Sequence, residues 1–288
     1  MSPAEAASPA GVDAGRDLAS EVERQHWYHT IELPGGVVTP GWFDPRPTVA
    51  HVPLPPTLEG RRCLDVGTWD GFWAFEMERR GASEIVAIDI EDPQRWDWPA
   101  GALESSDSAS GLRMLDEFKS AGAAFELARR ALGSRVQRVD LSVYDLDPRE
   151  IGGFDFVFLG SLLLHLRDPI AALGRLRTVC SGEAVVADTV QWLSSLLRPR
   201  APVARLYGLE RPWWWIPNVA GLQRMVQSAG FRVLAHTGVY RLPLGTGHPA
   251  RAQHGLAAGV RQALRGQNPL PAALGIPHAA VRAAPAPR

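Results

Sequence analysis

The chain has 288 residues but only two cysteines, four tyrosines and a single lysine, Lys119. Cys63 and Cys180 stand far apart, so neither a disulfide framework nor a cysteine-ligated metal site is written into the pattern. The eight histidines are scattered without ligand spacing, and no metal is expected. No apolar run approaches the roughly 18 residues that cross a bilayer. Residues 1–24 are rich in Ala, Ser and Glu, unlike a secretory signal. Together these absences predict a reduced, cytoplasmic protein without a membrane partner. The net charge of −1 argues against a general polyanion binder. The balance is uneven, because from Arg241 onward there are six arginines and no acid. Neither a G-x-S-x-G elbow nor a Walker loop is present.

What is present is alternation. A hydrophobic content of 45% over this length suits one large α/β domain with extensions. Five short apolar runs, at residues 62–66, 84–89, 135–141, 154–159 and 183–188, alternate with helical patterns. That order predicts parallel strands joined by crossover helices, a doubly wound sheet. Asp168-Pro169 places a capping acid before a first-turn proline, with Ile170, Leu173 and Leu176 on one stripe. Asn218 opens a second stripe, Leu222, Met225, Val226 and Ala229, which Gly230 ends. Runs at 231–236 and 239–242 predict a closing antiparallel hairpin. The expected organisation is a disordered or weakly helical leader (1–24), an aromatic lid segment (25–60), the main domain (61–244) and a flexible tail (245–288). The domain carries an insertion at 190–217, and the tail has one short helical pattern near 250–265.

The chemistry-bearing stretch is Cys63-Leu64-Asp65-Val66-Gly67-Thr68-Trp69-Asp70-Gly71, answered by Asp89 at the end of the next apolar run. Glycine lets backbone N–H groups approach a ligand closely, and an acid ending the second strand suits a ribose diol. The loop is not G-x-G-x-x-G, so the dinucleotide fingerprint fails. D-x-G-x-x-x-G resembles the loop that holds S-adenosylmethionine in class I methyltransferases. Further segments are Trp27-Tyr28-His29-Thr30-Ile31-Glu32-Leu33, Thr39-Pro40-Gly41, Phe154 to Phe158 through His165-Leu166-Arg167-Asp168-Pro169, and Trp215-Ile216-Pro217-Asn218. Together they resemble the wobble-uridine tRNA methyltransferase-like family over about residues 25–240. The resemblance implies a Rossmann-like class I methyltransferase sheet with its closing antiparallel hairpin, and a cofactor of the S-adenosylmethionine type. Members using the carboxylated cofactor carry a tyrosine where this chain has Leu164, and they use lysines near the extra carboxylate. A carboxylate buried without partners is costly, so ordinary S-adenosyl-L-methionine is expected.

Within that frame the expected cofactor contacts are Asp65, Gly67, Thr68, Trp69, Gly71, Asp89, Ser142, Val143, Leu159 and Gly160. Asp65 would fix the loop and Asp89 would take the ribose hydroxyls. Trp69 either stacks near the methionine portion or packs on the sheet edge. Ser142 and Val143 follow the third strand, where the family places adenine, and Leu159 and Gly160 end the fourth. His165, just after strand four, and His29, among the lid aromatics, are the candidate catalytic bases; each has a packing role as its alternative. Trp27, Tyr207 and Trp213-Trp214-Trp215 are the candidate substrate walls, with core or lid packing as theirs. The expected function is methyl transfer to an O or N atom of a small molecule. The alternatives are modification of a tRNA wobble uridine and a non-catalytic cofactor-binding partner. The sequence leaves the oligomeric state open.

Overall fold

The computed structural model describes residues 17–100, 117–209, 213–249 and 275–287. Two short strands, β1 (Glu32–Leu33) and β2 (Val37–Val38), pair at the N-terminal side. The main sheet begins with β3 (Arg62–Val66), which leads through a glycine turn into helix α1 (Phe72–Arg79) and then β4 (Glu84–Asp89). Helix α2 (Ala123–Leu132) precedes β5 (Gln137–Asp140), and a short helix α3 (Pro148–Ile151) precedes β6 (Phe154–Gly160). Helix α4 (Pro169–Val179) feeds β7 (Cys180–Thr189). These five strands are parallel in the order β5-β4-β3-β6-β7. Such a reversal of winding on either side of the first strand is the doubly wound arrangement the alternating pattern predicts.

Side-chain alternation splits the core into two layers. Cys63, Ala87, Phe156, Phe158, Val185 and Ala187 face α1, α2 and the buried Trp27 of the N-terminal segment. Leu64, Val86, Ile88, Val157, Leu159 and Val186 face the apolar stripe of α4. Asp168 caps α4 by accepting the Ala171 N–H at 2.9 Å, with Pro169 in the first turn. The insertion after β7 forms helix α5 (Trp192–Leu197) and a small hairpin of β8 (Ala204–Leu206) and β9 (Trp215–Pro217). Asn218 then caps α6 (Val219–Ser228) through the Gly221 N–H at 2.8 Å. Its amide also donates to Arg198 O and Ala201 O at 3.0 and 2.9 Å, tying the insertion to the helix.

The closing edge differs from the expected hairpin. β10 (Phe231–His236) and β11 (Tyr240–Leu242) do not pair with each other; each pairs antiparallel with β12 (Ile276–Pro285). β12 also pairs antiparallel with β7, His278 opposite Thr189, and lies between β7 and β10 in the sheet. Residues 276–285 are therefore not part of a flexible tail. Ala279, Ala280, Val281 and Ala283 are fully buried, because a strand wedged between two neighbours and two helical layers has room for small side chains. The N-terminal leader is helical at residues 17–23. The helical pattern at 250–265 and much of the insertion between β4 and α2 lie outside the described residues.

Candidate functional site

In open α/β sheets ligands bind beyond the carboxyl ends of the parallel strands, and here that edge gathers most of the singled-out residues. At the end of β3, Gly67 turns with φ 78°, and the Gly67 and Thr68 N–H groups donate to Ile88 O at 2.9 and 3.1 Å. Gly71 has φ 92°, and a Cβ there would stand 2.6 Å from the Phe75 ring and 2.8 Å from Phe125. Only glycine lets the loop and both helices approach so closely. Between them Trp69 adopts φ 51° and donates its N–H to Asp89 Oδ2 at 2.8 Å.

Asp89 is already well furnished. Its Oδ1 accepts the Ile90 N–H at 2.8 Å and the Lys119 ammonium at 2.7 Å. Lys119, 4% exposed, also donates to Ile90 O at 2.7 Å. Its ammonium lies 4.8 and 5.3 Å from the ring centres of Trp69 and Trp96, within cation–π range. The chain's sole lysine is thus part of the site. Its isolation in an arginine-rich chain is the one sequence signal that marks it.

Asp70 was missed as well. Fully buried, it accepts the Tyr28 and His29 N–H groups on Oδ2 at 2.8 and 2.7 Å and the His29 Nδ1 on Oδ1 at 2.5 Å. One carboxylate therefore clamps the N-terminal aromatic segment onto the glycine loop, and the Tyr28 ring stacks on Trp69 at 4.6 Å. Burial, with the fields of Asp188, Asp70 and Asp89, raises the Tyr28 phenol above its ordinary range. His29 is engaged in this clamp. Trp27 lies in the core with its indole N–H on Val22 O at 2.9 Å.

Asp65 sits beneath the loop, 2% exposed, and burial pushes its carboxyl up to about 7. Asp65 Oδ2, Thr68 Oγ1 and Trp69 Nε1 are buried without a hydrogen-bond partner. Ser142 caps the turn after β5 by accepting the Tyr144 N–H at 3.2 Å, and Val143 beside it is buried. Leu159 is buried at the end of β6, and Gly160 follows it at the edge. His165 ends a short turn after β6 and is half-buried.

The tryptophans of the insertion pack on loops at this edge. Trp214 Nε1 donates to Asp97 O at 2.7 Å, and Trp215 Nε1 to Arg167 O at 3.0 Å. Trp213 is more exposed, and Tyr207 accepts the Gln191 amide at 3.3 Å. Asp188, buried at the end of β7, accepts the Leu163 and Thr189 N–H groups at 2.7 and 2.6 Å. Burial nevertheless pushes it up to about 7. Beside it Ser161 Oγ and His278 Nε2 lie 3.0 Å apart. Among the described residues no helix is long and apolar enough to cross a membrane.

Residues 45–236 match the family described as a methyltransferase domain. The chain is 28% identical over 175 residues to a tRNA U34 carboxymethyltransferase of Pseudomonas aeruginosa, covering 60% of this chain and 46% of that protein. It is 25% identical over 181 residues to the Dichelobacter nodosus protein of the same name, covering 62% and 47%. The chain thus spans about half the length of these curated relatives. Among solved structures, the YcgJ protein from Bacillus subtilis aligns with 84% of this chain and 98% of its own, at 13% identity and a TM-score of 0.49. With the family match covering two-thirds of its length and the sheet order described above, the chain belongs to the methyltransferase domain family and has the Rossmann-like class I methyltransferase fold.

Proposed function

We propose that the protein transfers a methyl group from S-adenosyl-L-methionine to an O or N atom of a small-molecule acceptor. The observation that carries the acceptor class is the Asp70 clamp, which holds the Tyr28 segment over the glycine loop. A site roofed by its own chain and walled by aromatic side chains suits a small ligand better than a polymer. Charge supports the same reading. Asp65, Asp70, Asp89 and Asp188 crowd one edge. Phosphate neutralisation supplies much of nucleic-acid affinity, and this edge offers little of it.

The residues present fit the cofactor. The unpartnered Asp65 Oδ2, Thr68 Oγ1 and Trp69 Nε1 provide acceptors and donors for its amino-acid end. Asp89 is the acceptor for the ribose, with Ser142 and Val143 beside the base. A carboxylate has about four lone-pair sites, and Asp89 already accepts three hydrogen bonds. A diol needs two, so the Lys119 ammonium, the only one of the three donors outside the backbone, gives way when ribose binds. When bound, S-adenosylmethionine supplies a methyl group activated on a sulfonium, whose C–S electron pair returns to sulfur. Because the electrophile is already activated, the protein's contribution is largely positioning.

Purified protein with trideuteromethyl S-adenosylmethionine, offered separately a small-molecule extract of its source cells and their tRNA, tests this. Label is expected in a small molecule. Label in tRNA alone would overturn the acceptor class in favour of the wobble-uridine alternative.

A further inference from the structure

β6 does not end in an ordinary turn. Ser161, directly after Gly160, holds φ 51°, one of three non-glycine residues in that region among those described. Left-handed backbone at a non-glycine residue costs energy and is retained where the surroundings fix it. Here the Ser161 N–H donates to Ala187 O at 2.8 Å, while its hydroxyl lies 3.0 Å from His278 Nε2. The two residues are 117 positions apart and meet only because β12 lies beside β7.

The imidazole has one possible tautomer in this setting. His278 Nδ1 lies 3.0 Å from Ile276 O, and a carbonyl can only accept. Nδ1 therefore carries the hydrogen, and Nε2 presents a lone pair to Ser161 Oγ at 3.0 Å and to Thr189 Oγ1 at 3.4 Å. With its own hydrogen directed at Nε2, Ser161 Oγ keeps two lone pairs for an incoming donor. His278 is 4% exposed, whereas Ser161 is half-buried, so the serine is the member of the pair that a ligand can reach. Tyr240 packs 6.0 Å from the imidazole, and Asp188 lies at the neighbouring strand end, held by its own N–H donors.

We propose that Ser161 and His278 form the acceptor end of the site and that the methyl acceptor is a hydroxyl group, alcohol or phenol. This rests on the methyl-transfer reading above and sharpens it. Ser161 Oγ accepts the hydrogen bond of the acceptor O–H and fixes the direction of the oxygen's remaining lone pairs. As the acceptor oxygen gains its bond to the methyl carbon, its proton passes to Ser161 Oγ, and the serine hydrogen passes to His278 Nε2. The imidazolium so formed later returns that proton to solvent.

Chemistry favours a hydroxyl over an alkylamine at such a relay. A methylated, still-protonated hydroxyl is a very strong acid and loses its proton even to a weak base. Burial holds His278 down to about 4, which suffices for an oxonium. An alkylammonium, with a pKa of about 10 by comparison with lysine, would keep its proton, and the relay would do nothing for an amine acceptor.

Two variants separate this role from packing. Ser161→Gly removes the hydroxyl at a position whose φ glycine adopts without strain, and His278→Gln keeps a polar group of similar size. Three readouts are taken on the full chain: thermal midpoint, calorimetric affinity for S-adenosylhomocysteine, and deuteromethyl transfer into the source-cell extract with the product bond assigned by NMR. The expected result is an O-methyl product. Ser161→Gly and His278→Gln should lower kcat at least about a hundredfold, with KM for S-adenosylmethionine and S-adenosylhomocysteine affinity within about twofold of the parent. An N- or S-methyl product, or wild-type kcat in a folded Ser161→Gly, would overturn the proposal while leaving methyl transfer intact. Failure of the parent to bind S-adenosylhomocysteine, or to label any small molecule, would instead remove the reading on which it rests.

Discussion

The two ends of the carboxyl edge are built on opposite principles. At the glycine-loop end, charges are packed together and two carboxylates are held by several donors: Asp89 by Lys119 and two backbone N–H groups, Asp70 by the Tyr28 and His29 N–H groups and the His29 ring. At the β6–β7–β12 end the central pair is a hydroxyl and an imidazole 117 positions apart, brought together by the pairing of β12 with β7. The first arrangement suits recognition of a polar cofactor. The second sets the half-buried Ser161 hydroxyl against buried His278 and Thr189, which suits orientation of an acceptor hydroxyl.

The contrast is most severely tested at Asp70. Asp70→Ala strands two buried N–H groups and the His29 ring, each unmet group costing about 1–3 kcal/mol. Urea unfolding should show a loss of roughly 3 kcal/mol or more, and S-adenosylhomocysteine affinity should fall as the aromatic segment detaches. A variant as stable as the parent would mean the clamp is incidental. Next in size, Asp89→Ala should weaken S-adenosylhomocysteine binding by about 1–3 kcal/mol in calorimetry, and unchanged affinity would take Asp89 out of the site.

At the other end the test is pH. Burial lowers His278 from its ordinary 6.5 to about 4, so between those values the unfolded chain binds a proton that the folded chain does not. Stability contributed by neutral His278 is complete above pH 6.5 and is lost as pH falls toward 4. His278→Gln should remove about 1–2 kcal/mol of that acid sensitivity near pH 5, read from thermal midpoints across the window. An unaltered pH profile would show that His278 is not the group responsible. Asp65 and Asp188, pushed up to about 7, act in the opposite sense, favouring the folded state at low pH and losing that contribution as pH rises. The smallest effect is at Lys119. Lys119→Met should tighten S-adenosylhomocysteine by about 1 kcal/mol, the net value of a hydrogen bond that no longer has to be exchanged. Weaker binding would mean that Lys119 holds the ligand rather than yielding to it.

What was legible in the sequence follows separation along the chain instead. The β3 loop with Asp89, the Asp168-Pro169 cap and the Asn218 cap depend on residues close in the chain, and local pattern suffices to place them. β12 does not announce itself. Ile276-Pro-His-Ala-Ala-Val-Arg-Ala-Ala-Pro is alanine-rich, with proline near both ends, so it looks like tail composition. It becomes a strand because β7 and β10 flank it. Reading it as tail concealed His278, and with it the partner of Ser161. Asp70 and Lys119 escaped for a related reason: their partners, the Tyr28-His29 N–H groups and Asp89, lie 41–42 and 30 residues away. No periodicity links them.

The central claim is that the glycine loop and Asp89 hold S-adenosylmethionine. Calorimetric titration of the purified protein with S-adenosylhomocysteine, run beside NAD, tests it most directly. The account predicts saturable one-to-one binding of S-adenosylhomocysteine and none of NAD; a protein that binds NAD alone, or neither, would contradict it.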